Sequence, residues 1–225
     1  MNRELIVGFL KDSPDQNQQF DRKTLRSLCS NLNRDLPILI TKVQGARKTV
    51  DVGLSVSTEE VITPYEPYRR AGFRLFLPDG ATEGERIKKS LAEAFEKGYE
   101  SVILLSHSMP NLPTGYIEKA LVRLRDAGGI VLGPLVNGGF YLIGITRSAF
   151  YSTASSTNLP ELRFSDGGNK NDVIGKIGKL SIPLFLLPEW YLVKTAEDLK
   201  RVCDENEDDT EGNARWTQHS SGELL

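Results

Sequence analysis

Short apolar runs alternate along this chain with stretches of helical periodicity. "LIVGFL" (Leu5 to Leu10) is brief, apolar and rich in β-formers, and reads as a buried strand. "DRKTLRSLCSNLN" places Leu25, Leu28, Cys29 and Leu32 on one face and predicts a helix. "PILITKV" (Pro37 to Val43) predicts a second strand, and the alternation in "TVDVGLSV" (Thr49 to Val56) a half-exposed third. The prolines of "TPYEPYRRAG" predict a loop before strand character resumes in "FRLFL" (Phe73 to Leu77).

The clearest periodicity lies in the middle. Ile87, Leu91, Ala94 and Phe95 recur at helical spacing between Gly84 and Gly98, and the strand Val102 to Leu105 follows. Ile117, Ala120, Leu121 and Leu124 repeat the helical pattern, with Pro113 suited to a first turn and Gly128 to a C-terminal cap. "IVLGPL" and "GFYLIGI" read as two strands separated by "VNG". After Arg147, "YSTASSTNLPELRFSDGGNKND" is polar and Gly-rich, predicting a loop excursion. "DVIGKIGKL" reads as a weak helix, "IPLFLL" as a last strand, and "TAEDLKRVC" as a closing helix capped by Thr195. Helices interleaved with strands in this order predict an α/β fold: a three-layer sandwich with a mixed, mostly parallel sheet covered on both faces. Residues 1–203 are expected to form one domain, and the acidic, polar residues 204–225 a disordered tail.

Composition narrows the function classes. With 225 residues, the chain can bury a sizeable core. A formal net charge of −2 argues against nucleic acid or an anionic membrane as partner. No apolar run reaches the roughly 20 residues needed to span a bilayer. The apolar stretch near the N-terminus is interrupted by Lys11 and Asp12, so a cytoplasmic location is expected. Cys29 and Cys203 provide no disulfide framework, and with His107 and His219 they show no zinc-ligand spacing.

Nucleotide-binding signatures are absent in their common forms. "GGNKNDVIGK" lacks P-loop spacing, and no G-x-G-x-x-G follows a strand; "SDGGNK" reads as a surface turn. Ser106-His107-Ser108 offers hydroxyl and imidazole, but neighbours at a strand end point in opposite directions and no G-x-S-x-G elbow exists. "GPLVNGGFYLIGI" is more specific. Its paired glycines serve close approach of a ligand, a tight hairpin at Asn137-Gly138, or both.

Four stretches together carry a resemblance: Gly84-Glu85-Arg86, "SHSMPNL", "GPLVNGGFYLIG" and "LVKTAEDL". They resemble a bacterial family of glycosyltransferase-A-like proteins with the nucleotide-diphospho-sugar transferase fold, related to the phospholactate guanylyltransferases. Members carry G-E-R, S-D-x-P-x-L, G-P-x-x-D-G-G-[YF]-Y-L-I-G and D-x-D-T-x-E-D-L. The resemblance implies a protein that engages a nucleotide or sugar nucleotide. It also implies a divalent metal, Mg²⁺ or Mn²⁺, held by the acidic positions. Here Ser108 and Asn137 stand at two of those positions, and Leu192 and Lys194 at the two aspartates of the late motif. A hydroxyl, an amide and an ammonium do not supply the carboxylates such ions demand. The expectation is a glycosyltransferase-like or nucleotidyltransferase-like protein with no metal site and with metal-dependent transfer weakened or lost. The alternative is a non-catalytic scaffold or regulator that keeps the fold. Lys11, Arg86, Ser108, Asn137, Gly138, Gly139 and Lys194 are the candidate nucleotide and phosphate contacts. The pocket is expected at the carboxyl ends of the strands finishing at Leu10 and Leu105, beside Asn137 to Phe140.

Overall fold

The computed structural model describes residues 3–10, 36–46, 49–56, 66–107, 109, 112–136, 138–154, 162–164 and 170–192. In chain order the elements are β1 (Glu4–Phe9), α1 (36–46), β2 (Val50–Ser55), α2 (Glu66–Arg70), β3 (Arg74–Phe76), α3 (Glu83–Glu96) and β4 (Ser101–Leu105). Then come α4 (Thr114–Ala127), β5 (Ile130–Pro134), β6 (Phe140–Thr146), α5 (Arg147–Ala154), α6 (Lys170–Gly178) and β7 (Leu184–Leu186). The strands form one seven-stranded sheet in the order β3-β2-β1-β4-β6-β5-β7. β6 runs antiparallel to β4 and β5, and the other pairings are parallel.

The pleat of β1 and β4 feeds two apolar cores, one on each face. Ile6, Ile103 and Leu105 pack with Leu36, Ile40 and Val43 of α1 and Ile117, Leu121 and Leu124 of α4. Leu5, Val7, Val102 and Leu104 pack with Ile87, Leu91 and Phe95 of α3, Phe150 of α5 and Ile177 of α6. This is the three-layer sandwich expected from the alternation of elements. α3 opens on a capping box in which Thr82 and Glu85 satisfy each other's backbone donors, and α4 ends on Gly128 at φ 67°. Pro113 occupies the N-cap of α4, one position before the first turn.

Four expectations need correction, the first being the proline loop over residues 63–72, where Glu66–Arg70 is helical with Pro67 in its first turn. Residues 37–43 are helical, because Leu36, Ile40 and Val43 at helical spacing are the buried positions while Ile38 is 46% exposed. The helix sits close on β1, where a Cβ on Gly8 would lie 2.8 Å from Leu36 and 3.1 Å from Ile40. β2 is an internal strand between β1 and β3, so it is buried except at Asp51. The excursion after Arg147 begins as helix, since α5 continues to Ala154. The helix expected over residues 21–33, the one starting at Thr195 and the tail 204–225 lie outside the described residues. Among the described residues no helix is long and apolar enough to cross a membrane.

Candidate functional site

Chain order around β1 decides where a crevice opens. From β1 the chain steps outward to β2 and β3, then returns through α3 to β4 on the other side of β1. The connections therefore diverge above the carboxyl ends of β1 and β4, the position where open α/β sheets place ligands. Leu10 and Ser106 stand there, each held in line by a backbone bond, Leu10 N to Ser55 O at 2.9 Å and Ser106 N to Tyr141 O at 3.0 Å.

β6 brings its starting residues to the same edge because it runs antiparallel. Gly138 and Gly139 turn the chain from β5 into β6 with φ of 100° and 71°, values that L side chains rarely adopt. Leu135 N donates to Gly139 O at 3.1 Å and Gly138 N to Leu135 O at 3.3 Å, closing the turn. The pairing then shifts between Gly133 and Pro134, leaving Tyr141 as an extra residue. Its ring lies over Gly133, where a Cβ would sit 2.4 Å from the ring, and its hydroxyl donates to Pro188 O at 3.0 Å. Burial, and then the neighbouring Tyr116, push that phenol well above its ordinary pKa, so it remains a donor. The glycine-rich string is thus a bulged hairpin, and Gly133 is small to admit a ring.

The two walls of the edge differ. On the α4 side stand aromatic rings: Tyr116 meets Trp190 edge-on at 5.7 Å, and Trp190 stacks on Tyr191 at 5.2 Å. On the α3 side a short strap, residues 162–164, crosses between elements. Phe164 N donates to Glu83 Oε2 at 3.0 Å, Phe140 N donates to Arg163 O at 3.0 Å, and the Phe164 ring lies 5.3 Å from that of Phe9. The strap thereby ties the first turn of α3 to the start of β6.

Of the seven candidate contacts, Gly138 and Gly139 lie together at the lip of the edge. Arg86 lies in the first part of α3, its Nη1 donating to Gly80 O at 3.4 Å. Lys11, Ser108, Asn137 and Lys194 lie outside the described residues. Val136 N bonds Trp190 O, so the segment before Leu192 extends beside the end of β5. Among the described residues no group of three His, Cys, Asp or Glu side chains comes together.

Two features escaped the sequence reading. Lys170 Nζ donates to Leu135 O at 2.8 Å and Val136 O at 3.4 Å and pairs with Glu189, clamping the glycine turn from α6. In the sequence it falls at the end of "SDGGNK", which reads as a surface turn. Ser106 is 1% exposed with an unpartnered Oγ. The available signal was a strand ending in a small polar residue rather than in an apolar one.

Solved structures share this architecture over nearly the whole chain. A candidate nucleotide-diphospho-sugar transferase from Desulfovibrio desulfuricans G20 matches with a TM-score of 0.71 at 22% identity, covering 98% of this chain and 92% of that one. The 4-diphosphocytidyl-2C-methyl-D-erythritol synthase of Anaerococcus prevotii DSM 20548 matches at 0.60 and 11%, covering 92% and 96%. A CMP:2-keto-3-deoxy-manno-octonic acid synthetase complexed with CTP matches at 0.53 and 12%, covering 92% and 100%. The fold is that of the nucleotide-diphospho-sugar transferases and nucleotidyltransferases. Residues 41–157 match the model of a family described as "Uncharacterized protein conserved in bacteria (DUF2064)", and the chain belongs to that family.

Proposed function

We propose that the protein binds a nucleotide or sugar nucleotide over the carboxyl ends of β1 and β4. It would do so as a glycosyltransferase-like or nucleotidyltransferase-like protein whose metal-dependent transfer is weakened or lost. The observation that carries this reading is the divergence of connections above β1 and β4, with the positive-φ turn Gly138-Gly139 at its lip. That turn lets backbone rather than side chain face the ligand. The shared fold with a synthetase complexed with CTP supports a nucleotide as the occupant. The motif string supports kinship with the phospholactate guanylyltransferases.

In this reading Lys11, Arg86 and Lys194 attract the phosphates, and Ser108 and Asn137 offer neutral hydrogen bonds where the related family has metal-binding acids. One ammonium at about 4 Å from a phosphate charge is worth roughly 4 kcal/mol at an effective dielectric of 20, about half of what a divalent ion gives. Such a site holds a nucleotide yet stabilises a leaving diphosphate less well. Calorimetric titration of the full chain with CTP, GTP and UDP-glucose, in EDTA and in Mn²⁺, tests the reading. The expected result is a dissociation constant on the order of 10 μM that EDTA leaves unchanged. Binding that appears only with Mn²⁺ would overturn the metal-free site. Absence of binding in both buffers would favour the scaffold.

A further inference from the structure

Ser106 closes the apolar run of β4, and its backbone stays in line with β6 through the bond to Tyr141 O at 3.0 Å. Its side chain is 1% exposed, and among the described residues its Oγ is the one buried side-chain polar atom without a hydrogen-bond partner. Most other buried polar side chains are served. Glu4 receives Arg125, Thr146 Oγ1 receives Gly129 N, and Ser55 and Ser90 share a contact at 3.5 Å. A hydroxyl left unmade in the interior opposes folding, whereas alanine would fill the same space without that penalty. A serine at such a position calls for a partner from outside the chain.

The pleat and the register indicate its surroundings. Val102 and Leu104 point into the core on the α3 side, Ile103 and Leu105 into the other. Ser106, next in alternation, falls on the α3 side, one step beyond the Gly8–Leu105 pair and so level with Phe9. Phe9, Phe140 and Phe164 belong to that side, with Phe164 of the strap lying on Phe9. Aromatic walls around a single neutral hydroxyl suit an uncharged hydrogen-bonding edge better than a phosphate.

We propose that Ser106 Oγ is a ligand contact of this crevice, hydrogen-bonding the nucleoside part of the bound nucleotide. This rests on the nucleotide reading above and names a residue and a ligand moiety within it. The test compares the wild-type chain with Ser106→Ala. The readouts are the denaturant midpoint without ligand and calorimetric titration with ADP, CDP, GDP and UDP, their nucleosides, and inorganic pyrophosphate. The variant is expected to be at least as stable as wild type. It should lose roughly tenfold in affinity for the best-binding diphosphate and the same factor for its nucleoside, with pyrophosphate unaffected. Equal affinities in both proteins would overturn this inference while leaving the nucleotide reading standing. So would a parallel loss for pyrophosphate, or a lower midpoint without any change in affinity. If wild type binds none of the four diphosphates, the nucleotide reading itself fails and takes this inference with it.

Discussion

At the amino ends of the strands, Glu4 is 2% exposed and accepts Arg125 Nη2 on both carboxylate oxygens, at 2.9 and 2.7 Å. At the carboxyl ends, Ser106 is equally deep and accepts nothing. The contrast extends along each edge. At the amino edge Asp51 takes the Tyr99 hydroxyl at 2.6 Å and Arg3 at 3.3 Å, with Arg74 at 3.6 Å. Arg3 lies 4.5 Å over the Tyr99 ring, and Arg147 donates to Phe95 O at 2.7 Å. These groups complete one another within the chain. At the carboxyl edge such internal bonding goes into holding the backbone, as where Lys170 clamps Leu135 and Val136. One end of the sheet is therefore finished for stability, and the other is held in shape with a polar group left for something else.

The largest expected effect comes from disturbing the finished end. Gly129 sits at φ 86°, and a Cβ there would lie 2.1 Å from the carbonyl oxygen of Pro183. That carbonyl also accepts Ile130 N at 2.8 Å, so it cannot retreat without loosening the start of β5. Backbone strain and overpacking together predict that Gly129→Ala lowers stability by about 4 kcal/mol. Chemical denaturation measures it. A neutral substitution would mean that this edge is not the rigid one.

How much of this could be read along the chain depends on the distance over which each feature is decided. α3 and α4 were legible because Ile87, Leu91, Ala94 and Ile117, Ala120, Leu124 mark a helical face within a few turns. Residues 37–43 misled because a short apolar run suits strand or helix equally, and the arbiter, Gly8 on β1, is remote in sequence. The glycine-rich string was legible as a motif but not as a cause, since Gly133 answers to a ring that the bulge places over it. Ser106 was hidden for the same reason: whether a hydroxyl has a partner is a property of its neighbours. The pairing of Glu4 with Arg125 spans 121 residues and leaves no local trace.

That pairing gives the next effect in size. Glu4→Gln keeps the shape but removes the charge facing Arg125, whose side chain is 40% exposed and can regain some water. The expected loss is about 2 kcal/mol, below the usual cost of breaking a fully buried pair. The companion Glu4→Gln/Arg125→Met should recover part of it in equilibrium unfolding. Nucleotide affinity at the far edge should not change in either variant. A shift in affinity would show that the two ends are coupled, which the division of labour denies.

The smallest effect is a pH dependence, and it tests whether the amino-edge network is closed. Burial, and then the hydrogen bond and charge of Asp51, raise the Tyr99 phenol to about 12. A group whose pKa is raised in the folded chain contributes stability below its unfolded value, about 10 for tyrosine. That contribution is lost as pH climbs through 12. Asp51 behaves in the mirror sense. Burial tends to raise its pKa, but hydrogen bonds from Tyr99 and Arg3 and the charges of Arg74 and Arg3 hold it below the ordinary value. Its contribution is present above about pH 4, the unfolded value, and fades as acid protonates the folded carboxylate. Denaturant midpoints collected between pH 9 and 12 should therefore fall more steeply for wild type than for Tyr99→Phe, because the variant lacks the titrating phenol. Equal slopes would mean that the phenol ionises as freely folded as unfolded. Asp51 would then not be holding it, and the amino edge would be no more complete than the carboxyl edge it is contrasted with.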